Sequence, residues 1–197
     1  MKPRKNQGQV LSLIVLAGGK SRRMGRDKAF LHVGAATLLE ETVRPLEDLF
    51  DEVLIAVSPG QAVPSLPWRT VEDDISGQGP LRGILTGLRG ARNDSCFVLA
   101  CDAPGLSPAV VRKIVKASVE ADIVIAVTDG HLKEPLLGVY RKSVIPEIES
   151  LLRIGERSIL RLFDRVKIGE VRLARGEIPA NINTPEEFRA IAGKKKR

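Results

Sequence analysis

Between Leu16 and Lys28 the chain reads Leu-Ala-Gly-Gly-Lys-Ser-Arg-Arg-Met-Gly-Arg-Asp-Lys, five cations and one acid in a stretch that also carries Gly18, Gly19 and Gly25. Glycines let a backbone approach a ligand with its amides turned inward. Lys20, Arg22, Arg23, Arg26 and Lys28 add point charge and forked donors, so the segment can hold a polyphosphate. Asp102 stands just past the apolar run Cys96 to Ala100, where an open α/β sheet keeps its ligand cleft. A lone carboxylate there can anchor Mg²⁺ while phosphates and water complete the shell; an aspartate at a strand end can also cap a helix.

Commoner phosphate motifs do not fit these residues. Five positions after Gly18 and Gly19 stand Arg23 and Met24, where a Walker A loop needs glycine, and no G-x-G-x-x-G occurs. Gly77-Gln-Gly-Pro-Leu-Arg82 opens like that fingerprint but ends in arginine, which argues against a nicotinamide-dependent enzyme.

Such residues act together only if strands carry them to one edge. Val10 to Ala17 is nearly continuous apolar sequence, as expected of a parallel strand covered on both faces, and Glu52 to Val57, Cys96 to Ala100 and Asp122 to Val127 repeat the texture. Helical spacing lies between them: Leu39, Val43, Leu46 and Phe50 predict one helix kinked at Pro45, and Val110 to Val119 predicts another. A Leu136–Tyr140 strand, an Ile145–Leu152 helix and a Val166–Leu173 strand complete the pattern, and Thr184-Pro185-Glu186-Glu187 reads as a capped helix start. This alternation is the signature of an α/β sheet.

The 197 residues, 43% hydrophobic, suit one domain that needs neither disulfides nor a structural metal. The +7 net charge is carried wholly by Lys2, Arg4 and Lys5 at one end and residues 194–197 at the other, leaving a neutral body. The expected organisation is a basic tail over 1–9, a domain over 10–193 and a second basic tail over 194–197. With 4% aromatics and no recognition motif, a nucleic-acid-binding module ranks last. Cys96 and Cys101 read as buried thiols in a reducing compartment, and Val10 to Ala17 is only about half a membrane span, so the expectation is a soluble, cytoplasmic protein. His32 and His131 read as structural or surface residues.

Leu16 to Lys28 resembles the LAGG-x-S-x-R-M-G-x-D-K signature of MobA-type molybdenum cofactor guanylyltransferases, within the sugar-nucleotide-pyrophosphorylase-like nucleotidyltransferases. Glu72-Asp73, Gly79-Pro80-Leu81-Arg82-Gly83-Ile84, Cys101-Asp102-Ala103-Pro104, Glu134-Pro135-Leu136 and Asn181-Ile182-Asn183-Thr184-Pro185-Glu186 follow in the family's order, so the resemblance spans about residues 10–192. It implies a single-domain three-layer α/β/α fold with an open, mostly parallel, Rossmann-like sheet. It implies Mg²⁺-dependent transfer of GMP from GTP to Mo-molybdopterin, giving the guanine dinucleotide cofactor and pyrophosphate. Other molybdenum cofactor biosynthesis proteins or acceptor molybdoenzymes are the implied partners.

Carried over by position, Leu16, Ala17, Gly18 and Gly19 would contact the nucleotide through backbone. Lys28 would bind phosphate, Asp73 the nucleotide, and Asp102 both nucleotide and magnesium. Arg23, with Arg22 and Lys28, would stabilise transferring phosphate charge, since in-line attack by the acceptor phosphate needs positioning and electrostatics rather than a covalent nucleophile. Asn181 and Asn183 would lie toward the acceptor or metal end, although turn and cap roles explain them equally well.

The chain departs from the family pattern in places. Ala56-Val57-Ser58 lacks the asparagine many relatives carry, so that base or ribose contact and the guanine selection it implies do not carry over; Arg82 replaces a common alanine and Gly105 a frequent aromatic, changes placed on the pterin side. Two other readings stay open: a cytidylyltransferase or a nucleotidyltransferase for another phosphorylated acceptor, and an inactive nucleotide-binding partner protein. Gly18-Gly19 favours the guanylyl branch over the first, and intact Lys28 and Asp102 argue against the second.

Overall fold

Strand β1 (Ser12–Leu16) is buried at every position because it lies inside a seven-stranded sheet covered on both faces. The computed structural model describes residues 11–18, 27–118, 120–128, 131–174, 176–179, 182 and 187–188. After β1 come a small hairpin of β2 (His32–Val33) and β3 (Ala36–Thr37), helix α1 (Leu38–Val43), β4 (Glu52–Val57) and β5 (Arg69–Glu72). Then follow α2 (Pro80–Gly90), β6 (Ser95–Ala100), α3 (Pro108–Ala117), β7 (Ile123–Thr128) and β8 (Lys133–Arg141). The chain continues through α4 (Ile145–Arg153), α5 (Ile159–Phe163) and β9 (Ile168–Leu173).

The sheet order is β5-β4-β1-β6-β8-β7-β9, and every pairing is parallel except those of β8 with β6 and β7. Alternate residues of a strand face opposite sides, so β1 feeds two cores. Leu13 and Val15 pack with Leu39 and Val43 of α1 and with Val110, Val111 and Ile114 of α3. Ile14 and Leu16 pack with Ile84, Leu85 and Leu88 of α2, Ile148 and Leu151 of α4, and Leu162 of α5. Three layers result, as expected. The contact is closest at Gly87, where a Cβ would stand 2.4 Å from Ile14 Cγ2.

Pro45 ends α1 instead of kinking it, because proline lacks the amide and crowds the preceding turn. Residues Glu47–Leu49 then form a separate 3₁₀ turn. The predicted apolar stripe still does its work, since Leu39, Val43, Leu46 and Phe50 are all buried in one core. At the start of α1, Thr37 and Glu40 form a reciprocal capping box. The Leu136–Tyr140 strand extends to Lys133–Arg141 and runs antiparallel. His32 and His131 are exposed. The two basic tails, Val119 and the capping segment 184–186 lie outside the described residues. Among the described residues no helix is long and apolar enough to cross a membrane.

Candidate active site

From β1 the chain proceeds outward to β4 and β5, then returns to place β6 on the other side of β1. The carboxyl ends of β1 and β6 therefore flank a switch point, the place where open α/β sheets hold ligands. Cys101 N donates to Leu16 O at 3.1 Å and ties the two ends together. Leu16, Ala17 and Gly18 leave β1 on one side of this junction; Asp102 leaves β6 on the other.

The backbone after β1 is held tightly. Ala17 N and Gly18 N both donate to Ala56 O, at 2.8 and 3.1 Å, and Ala17 O accepts from Gln61 Nε2 at 3.1 Å. Gln61 Oε1 in turn accepts from Ser58 N at 2.9 Å. A Cβ on Gly18 would stand 2.9 Å from both Ser58 N and Ser58 Oγ, so close approach to the end of β4 requires glycine here. The segment departing from the family asparagine pattern, Ala56 to Ser58, is the strand end that grips Ala17 and Gly18.

Lys28 opens a 3₁₀ turn, Lys28–Phe30, anchored by buried Ala29. Its Nζ lies 2.7 Å from Asp102 Oδ2, with the two side chains only 11% and 20% exposed. Asp102 Oδ1 is buried with no hydrogen-bond partner among the described residues. The aspartate backbone is pinned by Ile182 N donating to Asp102 O at 3.1 Å, and Thr42 Oγ1 donates to Cys101 O at 3.0 Å. Asp102 does not cap α3: Ser107 does, its side chain accepting from Val110 N. One carboxylate oxygen is thus neutralised by a cation and the other is left available, a donor set suited to a divalent ion that takes its remaining ligands from phosphate and water. Among the described residues no group of three or more His, Cys, Asp or Glu forms a self-sufficient metal site.

Asp73 follows β5, and its N donates to Val57 O at 2.9 Å. Burial raises its pKa above the ordinary aspartate value, against the lowering effects of a Thr86 hydrogen bond and the Arg82 charge, and its Oδ1 is buried without a hydrogen-bond partner among the described residues. Arg82 reaches into the same loop from α2. It ion-pairs with Asp74 at 3.0 Å and donates twice to Gln78 Oε1, at 2.9 and 2.6 Å. The substituted arginine therefore braces the β5–α2 loop beside Asp73.

Across Asp102 from these groups lies a cavity of about 230 Å³ lined by Asp102, Ala103, Glu134, Leu136, Ile178 and Pro179 among others. Glu134 was not singled out individually by the sequence reading. Burial alone raises its pKa. The Glu-Pro-Leu triplet was the signal: proline inside a strand marks a bulge, and bulges redirect side chains beside active sites. Gly19, Arg22, Arg23, Asn181 and Asn183 lie outside the described residues.

The MobA-like NTP transferase domain profile matches residues 13–170. A probable molybdenum cofactor guanylyltransferase of Mycobacterium avium is 38% identical over 92% of this chain and 95% of its own. One from Carboxydothermus hydrogenoformans is 34% identical over 93% and 95%. Among solved structures, the molybdopterin-guanine dinucleotide biosynthesis protein A of Archaeoglobus fulgidus superposes with a TM-score of 0.76 over 94% of this chain and 98% of that one, at 24% identity. The 2-C-methyl-D-erythritol 4-phosphate cytidylyltransferase of Thermus thermophilus gives 0.72 over 96% and 100%, at 19% identity. At such identities the structures show the shared fold, while the profile and the curated relatives show the family: the chain is a nucleotidyltransferase belonging to the MobA-like NTP transferase family.

Proposed function

We propose that this nucleotidyltransferase moves GMP from GTP to the phosphate of Mo-molybdopterin, with Mg²⁺ as its cation and the cytoplasm, where GTP is supplied, as its compartment. The observation that carries the reading is the Lys28–Asp102 pair at the switch point, one residue from the phosphate loop and one from the end of β6. The names of relatives 34–38% identical over nearly the whole chain support the guanylyl choice.

In this reading an acceptor phosphate oxygen attacks the α-phosphorus of GTP, a new P–O bond forms, and the bond to the β-phosphate oxygen breaks to release pyrophosphate. Asp102 Oδ1 would hold Mg²⁺, which when bound neutralises charge on the triphosphate and the departing pyrophosphate. Lys28 neutralises phosphate charge from the half-buried loop end, where water screens it poorly. Arg23 takes the same role toward the transferring phosphate charge on the family signature. Leu16 to Gly19 and Asp73 form the nucleotide side; Asn181 and Asn183 belong to the acceptor side.

Pyrophosphate release measured with GTP, CTP, ATP and UTP, each with and without molybdopterin, tests the assignment. GTP with molybdopterin should be the productive pair, and chelation of divalent cations should stop it. Equal or faster turnover with CTP would move the protein to the cytidylyl branch, and nucleotide binding without turnover would favour a non-catalytic partner protein.

A further inference from the structure

Glu134 stands at the start of β8, where the pairing with β7 jumps from Ile125 opposite Gly138 to Ala126 opposite Glu134. Pro135, Leu136 and Leu137 fill the jump on the β8 side, so the strand bulges toward the cavity. The bulge is rigid. Buried Tyr140 donates its hydroxyl to Pro135 O at 2.6 Å, and a Cβ at position 138 would stand 2.3 Å from Val124 O. A fixed backbone therefore presents Glu134 to a cavity that has Asp102 at its other end and apolar walls of Leu99, Leu136, Leu137 and Ile178 between.

Among the described residues nothing uses this carboxylate to hold the fold. Neighbouring Lys133 pairs with Glu170 at 3.3 Å, and no described residue hydrogen-bonds or ion-pairs with the Glu134 side chain. Half-burying an uncompensated carboxylate costs stability, so its presence calls for a ligand that brings donors. Resting on the acceptor named above, we propose that Glu134 recognises the acceptor's heterocycle, its two oxygens accepting from the ring N–H and adjacent exocyclic NH₂ of a pterin seated in this cavity. The acceptor's phosphate then lies at the Asp102 end of the same cavity, beside Lys28.

Shape and side agree with this occupant. At about 230 Å³ the cavity falls below the roughly 300–1,000 Å³ of whole-ligand pockets, and suits one fused-ring system better than a nucleoside triphosphate. It opens on β6 and β8, whereas Gly18 and Asp73 sit on the β1, β4 and β5 side. A paired N–H edge meets a carboxylate with two parallel charge-assisted bonds. Guanine carries the same edge, so the test must separate the two substrates.

Wild type, Glu134→Gln and Glu134→Asp are compared for binding of 6-hydroxymethylpterin phosphate, followed by pterin fluorescence, and of Mg-GTP, followed by calorimetry. Thermal melting confirms the fold of each. Glu134→Gln should weaken the pterin phosphate roughly ten- to a hundredfold and leave GTP affinity within about twofold, with Glu134→Asp intermediate. In turnover, KM for molybdopterin should rise more than kcat falls. Unchanged pterin affinity in a folded Glu134→Gln protein, or a loss confined to GTP, overturns the assignment while guanylyl transfer by the wild type stands. Failure of the wild type to transfer GMP to molybdopterin removes the underlying reading, and the proposal with it.

Discussion

Lys28 Nζ and Asp102 Oδ2 are 2.7 Å apart across 74 residues of chain, and the second oxygen of Asp102 is buried without a hydrogen-bond partner among the described residues. The pair joins the turn that opens at Lys28 to the segment after β6. In the proposed reaction an arriving triphosphate offers Lys28 a second anion and Asp102 a cation, so each partner already stands where its substrate charge will be.

Asp102→Asn should lower guanylyl transfer by roughly two to four orders of magnitude, because the amide keeps size but loses the anionic oxygen a divalent cation prefers. Circular dichroism should report an unchanged fold. Wild-type turnover in the folded variant would remove the metal assignment from Asp102. Lys28→Ala, assayed beside it, should raise KM for GTP with little change in cation dependence.

Asp73→Asn should stabilise the protein at pH 7. Burial raises the folded-state pKa of Asp73 above its unfolded value of about 3.9, so the contribution to stability is present below that value and is lost as pH climbs through the folded pKa. Melting temperatures from pH 3.5 to 8 should show the variant's advantage opening as pH rises. An advantage independent of pH would assign it to packing.

Gly87→Ala should cost about 1–2 kcal/mol, seen as a fall in melting temperature of roughly 3–8 °C. The added methyl meets Ile14 at 2.4 Å, and Ile14 is fully buried between β4 and β6 with nowhere to retreat. Gly83→Ala, which meets Leu16 Cδ2 at 3.1 Å, should cost less.

Cys96 and Cys101 should resist alkylation in the native protein at pH 8 and react on unfolding. Burial pushes both thiols up to about 12, so little thiolate exists to attack a reagent. Rapid native labelling of either, resolved by mass spectrometry of the peptides, would contradict this.

Much was legible in the chain because its signals are local. Glu52 to Val57 reads as a covered strand from side chains alone, and the strand spans those residues. Asp102 was identifiable because a polar residue directly after an apolar run marks a strand end. Glu134 was not, because its meaning depends on how β8 pairs with β7 and on Tyr140 reaching back to Pro135.

Sequence by itself determined the α/β alternation, the residues that form the core and the family signature, since periodicity and motif order are properties of neighbouring residues. Tertiary structure alone decided the rest. It made β8 antiparallel and brought Lys28 to Asp102. It turned Arg82 into a brace for the loop beside Asp73, through partners supplied by that loop. And it set Glu134 in a cavity with Asp102, because side chains 32 positions apart share a site only once β6 and β8 lie side by side.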